Sequence, residues 1–489
     1  MKELFQGNNT FALHDLKGFN GRCAAIYLTT EPNDLPPDDS KLLKKYRLEN
    51  FPKKIVDDPV FYDFVVCGGG YAGMCGALTA KYSGLKTLLI QDRSMLGGCN
   101  SSEIRVWLGG FTNLGKYPKL GTLTALLGPI SGIPGDIKSK EIFEDSRKAM
   151  LFKINEDLML NEIVIDIEKD PKNQRKIVAI LTENLRTGEI TRRRAELFAD
   201  CTGDGVIARL CGCEYMYGRE SFSEYGESLA PENSDRQVMG HSVLWEAIES
   251  KNIVDFPDID WGIEFDDESV VRRSNSCWDW ECGQYRNQVL ECEHIRDYGL
   301  MSALCNWSYL KNHASDKAQW RNYELTWISP IGGKRESYRI KGDLVVTQND
   351  LEKQKKYDDA TAEISWNIDL HFPDPKNEAR FGEAFQSCAY HRGIGEPFGV
   401  PYRALYARDM DNLFIGGRII SFSHVAFSCV RVMRTLGMLG EVIGLAAAVC
   451  RKNSSLPREL YPQYFSELQE KMQAGVPLRQ PHAYYPDTG

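Results

Sequence analysis

No segment of this 489-residue chain supplies the roughly 20 consecutive apolar residues that a bilayer requires; the nearest candidates, around Val65–Ala80 and Val442–Cys450, are short or broken by glycine. The N-terminal stretch MKELFQGNNTFALHDLKGFNGRCAAIYLTT lacks both an uninterrupted apolar run and a small-residue cleavage site, so it does not read as a secretory signal. Both absences favour a cytoplasmic location. Basic charge is in deficit too: 59 Lys and Arg against 68 Asp and Glu give a net charge of −9, and no long basic tract could follow a phosphate backbone. Nucleic acid is not an expected partner. Cys99 has no second cysteine at short spacing, which disfavours disulfide-reductase chemistry. Cys211 with Cys213, and the looser group Cys277, Cys282 and Cys292, lack further ligands at recognisable spacing, so no metal is expected. The fourteen cysteines are scattered through a chain without an extracellular, loop-rich composition and read as reduced packing residues. Internal repeats and low-complexity tracts are missing as well.

What is present suits a folded protein of two or three domains. The chain reads as an N-terminal extension at 1–60, a cofactor domain split between 61–215 and 380–451, an inserted substrate or cap module at 216–379, and a tail at 452–489. The extension carries a strand-like run, Cys23–Leu28, and a turn-rich segment, Glu31–Ser40. Tyr62–Cys67 (YDFVVC) flows into GGGYAG, a small-residue helix follows, and Lys86–Ile90 (KTLLI) is a second strand. A unit this short predicts parallel neighbours joined by a right-handed crossover. Helical spacing over Asp136–Asn161 predicts an amphipathic helix on the sheet, followed by a strand at Ile163–Ile167. Lys176–Leu181 and Glu196–Asp200 read as strands around the turn LRTGEI. Eight of the nine tryptophans fall between Trp245 and Trp366, where no further glycine fingerprint occurs. A strand at Asn412–Ile415, the turn GGR, a helix from Arg434 to Cys450 and a short helix at Tyr464–Met472 complete the chain.

Within GGGYAG, Gly68, Gly70 and Gly73 form G-x-G-x-x-G around Tyr71 and Ala72. The first glycine permits a tight turn, the second lets backbone approach a pyrophosphate, and the third allows close helix–strand packing, with the phosphate at the helix N-terminus. Placement between two predicted strands makes this a dinucleotide site. The ribose-binding acid expected about 20 residues on is replaced by Gln91, with Asp92 one residue later; Gln91 is the first choice and Asp92 the second.

These segments resemble the FAD-dependent oxidoreductases of the glutathione-reductase-like superfamily, in the branch related to the fumarate reductase type. The likeness runs over most of residues 62–450. It implies an α/β fold: a Rossmann-like FAD-binding domain of the GR2 type with an inserted α+β substrate or cap module. It makes GGGYAG and LLIQDRSMLGG the ADP-binding unit, with Arg93 in its second half and Leu96, Gly97 and Gly98 near the ribityl or flavin. LFADCTGDGVIARLCGCEY becomes a second FAD-contacting segment, through Thr202, Gly203, Asp204 and Gly205. NLFIGGRIISFSHVAFSCVRVMRTLGMLGEVIGLAAA becomes the flavin-closing segment, through Gly417, Arg418, Gly437, Met438, Leu439 and Gly440. Ser101, Ser102 and Arg105, in the polar cluster after Cys99, and Ile163 and Val164 on the next strand, complete the expected cofactor contacts. SPIGGKRESYRIKGDLVVTQNDL resembles another recurring stretch of the family. Gln91 departs from relatives that place Glu there.

Oxidation of an alcohol by a flavin needs hydride transfer to N5 and removal of the hydroxyl proton, a task suited to a neutral imidazole. His424 and His391 flank the flavin-closing turn and are the candidate acid/base groups; Arg434 is a candidate to steady charge on flavin or substrate. The tryptophan-rich module contains WDWECGQYRNQ, whose aromatics, acids and amides suit the C–H face and polar rim of a sugar, although the same rings would serve as a core. The expected activity is therefore oxidation of a sugar, polyol or related hydroxyl compound, with a separate acceptor reoxidising the flavin. Reduction of an unsaturated carboxylic acid and a non-catalytic carbohydrate-binding role for an FAD protein are the alternatives. No self-associating surface is legible.

Overall fold

The computed structural model describes residues 26, 29, 31, 33, 35–50, 54–128, 148–149, 151–276 and 278–478. Met1–Lys54 and Ile55–Gly489 form two compact units. In the first, the helix Ser40–Asn50 starts where Asp39 accepts the Leu42 amide proton at 2.9 Å, satisfying one of the donors that a helix N-terminus leaves open. The strand-like run Cys23–Leu28 lies outside the described residues but for Ile26.

The second unit is an α/β fold built on a mixed parallel and antiparallel sheet. Its first strands are β1 (Ile55–Cys67), β2 (Thr87–Gln91), β3 (Leu158–Leu160), β4 (Glu162–Asp170), β5 (Asn173–Asn184) and β6 (Ile190–Asp200), in the order β3-β2-β1-β6-β5-β4. Strands β3, β2, β1 and β6 are parallel; β5 and β4 return antiparallel as a meander. Residues 190–194 of β6 pair with β5, whereas Phe198–Asp200 pair in parallel with the late strand Leu413–Ile415. Segments from before residue 200 and after residue 412 thus meet on one strand.

β1 begins at Ile55, which corrects the expected boundary at 60/61. The apolar run marks only its buried end. Its outer end is held by charge: Asp57 lies 2.9 Å from both Arg192 and Arg194, and Asp58 lies 2.6 Å from Arg193, which also pairs with Glu162 at 2.7 Å. The helix expected over Asp136–Asn161 is also corrected. Residues 136–147 and 150 lie outside the described residues, and the described end contains β3, where fully buried Leu158 sits in register with Leu89. Burial against the sheet overrides helical spacing there.

The Tyr71–Tyr82 helix after β1 packs against the long Met433–Asn453 helix through glycines. A Cβ on Gly440 would collide with the carbonyl of Ala72, and one on Gly444 would lie 2.5 Å from the carbonyl of Gly76. By length and hydropathy the Met433–Asn453 helix would suffice to cross a bilayer, beyond what the apolar runs of the sequence indicated, but 94% of its apolar window is buried inside the protein.

Between β6 and the late strand the chain forms short antiparallel pieces: β7 (Tyr215–Met216), β8 (His241–Ser242), β9 (Trp245–Glu249), β10 (Glu281–Cys282), β11 (Tyr323–Ile328), β12 (Gly333–Lys334), β13 (Arg339–Ile340), β14 (Ala360–Ile364), β15 (Ile368–Pro373), β16 (Ser387–Arg392) and β17 (Phe398–Pro401). The late strand Leu413–Ile415 is β18. The pieces assemble as β10-β8-β12, β11-β9, β13-β7, β14-β17 and β15-β16. The expected boundary at 379/380 falls between the paired strands β15 and β16, so the chain rejoins the parallel sheet only at β18. Trp245, Trp280, Trp307 and Trp320 are buried in one cluster with Phe385 beside the Cys292–Asn312 helix. Trp245 meets Trp280 at 5.7 Å and Trp307 at 6.0 Å between ring centroids. Packing, not ligand binding, is the work of these four. The described cysteines are all unpaired.

Candidate functional site

A cavity of about 790 Å³ opens where the C-terminal ends of β1, β2 and β6 meet the inserted module. Gly68, at φ 107°, turns the chain so close to β6 that a Cβ would collide with the Cys201 carbonyl. A Cβ on Gly73 would strike the Gly68 carbonyl, so this glycine sets the helix–strand approach and does not line the cavity. Gly70 is different: a Cβ there would meet nothing within 4 Å. With Tyr71 and Ala72 it presents the helix N-terminus, with its open amides and positive dipole end, to the cavity. Gln91 braces this loop. Its buried Oε1 accepts from the Gly69 amide at 2.7 Å and its Nε2 donates to the Met95 carbonyl at 3.2 Å. Asp92 is exposed at the cavity wall, with Arg93, Gly97, Gly98, Ile163 and Val164 also lining it.

A second turn follows β6. Buried Asp200 accepts from the Thr202 amide at 3.1 Å, the Thr202 hydroxyl at 2.7 Å and the Ala208 amide at 3.0 Å, which folds DCTGDG over the strand end. Thr202, Gly203 and Asp204 line the cavity, as do Gly417 and Arg418 after β18. Arg418 Nε donates to the Gly203 carbonyl at 2.8 Å, and Asp204 is shared between Lys334 at 2.6 Å and Arg418 at 3.1 Å. Burial works to raise the Asp204 carboxyl, but the Lys334 and Arg418 charges hold it well below the usual carboxylate range.

A row of titratable groups also reaches the cavity, through Asp369, His371, His391, Arg335 and Arg431. His371 Nδ1 lies 2.8 Å from Glu281 Oε2, and its Nε2 lies 3.2 Å from Asp369 Oδ1. Asp369 also pairs with Arg431 at 3.1 Å, accepts from Trp366 Nε1 at 3.2 Å, and faces His391 Nδ1 at 3.4 Å. Arg335 lies 3.2 Å from Glu281 and donates to Ser242 Oγ at 2.7 Å. Burial would raise both carboxyls, yet the arginines and His371 keep Glu281 and Asp369 below the usual range. Burial pulls the Arg431 guanidinium down, against the charge of Asp369. Aromatic rings flank the row: Trp278 stands edge-on to His371 at 5.2 Å, and Trp107 meets Trp366 at 6.1 Å.

Among the expected catalytic groups, the structure brings His391 to the cavity but not His424 or Arg434. His424 is buried, with Nδ1 3.0 Å from Glu336 and its amide donating to Glu220 at 2.8 Å, inside a charged cluster completed by Arg339. Arg434 turns to the Leu108 carbonyl at 2.7 Å. Several expected cofactor contacts are corrected likewise. Leu96 and Ser101 are fully buried off the cavity, Ser102 donates to Met95 Sδ at 3.2 Å, and Gly205 abuts Ile340. Arg105 lies over the Trp327 ring at 4.1 Å and pairs with Glu246 at 3.8 Å. Gly437 and Gly440 serve helix packing, and Met438 and Leu439 are core.

In WDWECGQYRNQ, Trp278 lines the cavity and Glu281 supports His371 from beneath, while Asp279 pairs with Arg273 at 2.7 Å and Arg286 with Glu383 at 2.7 Å. Sequence reasoning missed Asp369, His371, Lys334, Arg335 and His241. The signal for the first two was the i, i+2 spacing of Asp and His in IDLHF, which puts both on one face of a strand.

The profile of the family described as FAD dependent oxidoreductase matches residues 63–472. Among solved structures, a geranylgeranyl bacteriochlorophyll reductase-like protein from Thermoplasma acidophilum is 12% identical, with 85% of this chain and 83% of that chain covered and a TM-score of 0.36. The myxobacterial chondrochloren halogenase CndH is also 12% identical, over 84% of this chain and 79% of that one, with a TM-score of 0.36. The OxyS anhydrotetracycline hydroxylase from Streptomyces rimosus is 10% identical, over 84% and 66%, with a TM-score of 0.35. Likeness at this level says nothing of the substrate.

Proposed function

Because this chain belongs to the FAD-dependent oxidoreductase family, with FAD as its cofactor, we propose that it oxidises a hydroxyl-bearing small molecule such as a sugar or polyol. The open space above Gly70, at the N-terminus of the Tyr71–Tyr82 helix, supports binding of the FAD pyrophosphate there, because amide donors and a positive dipole end suit a phosphate. With the Gln91 amide oxygen already engaged by Gly69, Asp92 is the better ribose partner. Gly417 and Thr202 complete the cofactor side of the cavity.

The observation that carries the reading is the row Glu281, His371, Asp369 and His391 beside Trp107, Trp278 and Trp366. Bound FAD supplies a two-electron acceptor for the hydride that leaves the substrate carbon. His391, on the cavity wall, takes the hydroxyl proton on Nε2, while Asp369 on the Nδ1 side favours the tautomer that leaves Nε2 free to accept. Glu281 and Asp369 lie against the two nitrogens of His371, which holds the row in place, and the Asp369 carboxylate steadies the charge that His391 acquires. The tryptophan faces offer apolar surface to the C–H side of a ring or chain. Each arginine of the row already has a carboxylate, Arg335 with Glu281 and Arg431 with Asp369, which argues against the arginine cage a dicarboxylate reductase would need. A separate acceptor completes the cycle.

The test is anaerobic titration of the FAD-loaded protein with sugars, polyols and hydroxy acids. Loss of visible flavin absorbance with one of these classes supports the reading. Flavin that no hydroxyl compound reduces, but that an unsaturated acid reoxidises once it is chemically reduced, overturns it.

A further inference from the structure

Resting on the hydroxyl oxidation proposed above, we infer that the corner of the cavity formed by Lys334, Arg418 and His241 holds a carboxylate of the substrate, which makes that substrate a hydroxy acid.

The first support is charge. Lys334 and Arg418 share the single carboxylate of Asp204, at 2.6 and 3.1 Å, and neither has another carboxylate within ion-pair reach among the described residues. Asp204 also accepts from Ser337 Oγ at 2.9 Å, a neutral contact that leaves the balance unchanged. Two cations against one anion leave one positive charge in a largely enclosed place, where an uncompensated charge is costly. A monoanion answers that excess.

The second support is independent of the first. His241 is 1% exposed, lines the same cavity, and has no hydrogen-bond partner on either ring nitrogen among the described residues. In the pairing of β8 with β12 it lies directly opposite Lys334, and such cross-strand neighbours project from the same face. Burial first, and then the Lys334 charge, push its imidazole down to about 3, so the ring is neutral at working pH and offers one N–H donor. An unmet buried donor calls for an acceptor. A carboxylate oxygen meets it while its charge offsets the cations.

Position favours the substrate over the cofactor as the source of that anion. His241 is followed on β8 by Ser242, which pairs with Glu281 across the sheet and accepts from Arg335. His241, Lys334 and Arg418 line the same cavity as His371, Asp369 and His391, so a carboxylate and a reactive hydroxyl can belong to one molecule. The FAD phosphates have the helix N-terminus at Gly70 instead.

FAD-loaded protein is titrated with propionate and with propionamide, which share a shape but not a charge and carry no hydroxyl to oxidise. Binding is read from flavin absorbance and thermal unfolding. Propionate should bind at least about tenfold more tightly than propionamide, and Lys334→Gln should erase most of that preference while leaving FAD affinity unchanged. His241→Leu, which is apolar and of similar bulk, should weaken propionate in the same direction. Equal binding of the two probes to the wild-type protein overturns the assignment without recourse to any variant. A loss of FAD affinity in Lys334→Gln as large as the loss of propionate binding also overturns it, by giving the corner to the cofactor's phosphates. Failure of the hydroxyl-oxidation reading looks different: hydroxy acids would bind and compete with propionate yet leave the flavin oxidised.

Discussion

His371 Nδ1 lies 2.8 Å from Glu281 Oε2 with both side chains buried, although the two residues come from strands 90 positions apart. The pair ties β10 of one small sheet to β15 of another and aims the remaining edge of the imidazole at Asp369. Its neighbourhood is where we propose the chemistry to occur, and substitutions there should separate from those that only loosen the fold.

His391→Ala should lower the rate of flavin reduction by substrate about a hundredfold or more while the protein keeps its FAD and its melting temperature. His424→Gln should do the reverse, lowering the melting temperature through its contacts with Glu336 and Glu220 and leaving the rate per folded molecule nearly intact. Rapid-mixing reduction and thermal unfolding on the same preparations read both.

Gly70→Ala should leave the apoprotein as stable as the wild type, since a Cβ there meets nothing, but should weaken FAD by crowding the phosphate approach. Gly440→Val should destabilise the apoprotein itself, because its side chain must enter the carbonyl of Ala72. Fluorescence titration with FAD and calorimetry of the apoproteins distinguish the two.

Glu441 is fully buried and accepts from the amides of Gly121 and Thr124, each at 2.8 Å. Burial outweighs these bonds and raises its carboxyl to about 7. An acid whose folded value lies above its unfolded one holds its proton more tightly when folded. Its contribution is therefore complete below the ordinary glutamate value of 4.5 and is lost as pH rises through about 7. Stability should fall across that window by up to about 3 kcal/mol, and Glu441→Gln should flatten the decline in denaturation midpoints measured from pH 5 to 8 (about the working range of most proteins).

Arg193→Met should cost about 3–5 kcal/mol, because it strands Glu162 and Asp58, which lie 2.7 and 2.6 Å from the guanidinium. Arg194→Met, at the half-buried neighbour whose one ion-pair partner among the described residues is Asp57, should cost less than about 1 kcal/mol. Denaturant unfolding of the two variants gives the comparison.

The cofactor unit was legible because it is local: a strand, a glycine turn and a helix follow one another, and each glycine has its own steric reason. The row around His371 was not, since Glu281, Asp369 and Arg431 sit on separate elements and meet only through tertiary packing. His424 misled for the same reason. It follows the GGR turn closely in sequence, yet the start of its helix directs the ring toward Glu336 and away from the cavity. The tryptophans show a further limit: composition counts aromatic rings but does not say which the fold buries in a core, and Trp245 on a strand and Trp278 in a turn have opposite fates.

The contact between the Tyr71–Tyr82 and Met433–Asn453 helices bears on how the protein is made. The two surfaces that meet at Gly76 and Gly440 are separated by most of the chain, so the helix that presents the phosphate cradle stays half-uncovered throughout synthesis of everything between them. A nascent chain on the ribosome carries the glycine fingerprint early but lacks its packing partner until the Met433–Asn453 helix emerges. Loading of the cofactor is thereby deferred until the Met433–Asn453 helix has been made, and chains truncated before Gly440 should be cleared as apoprotein by cellular proteolysis.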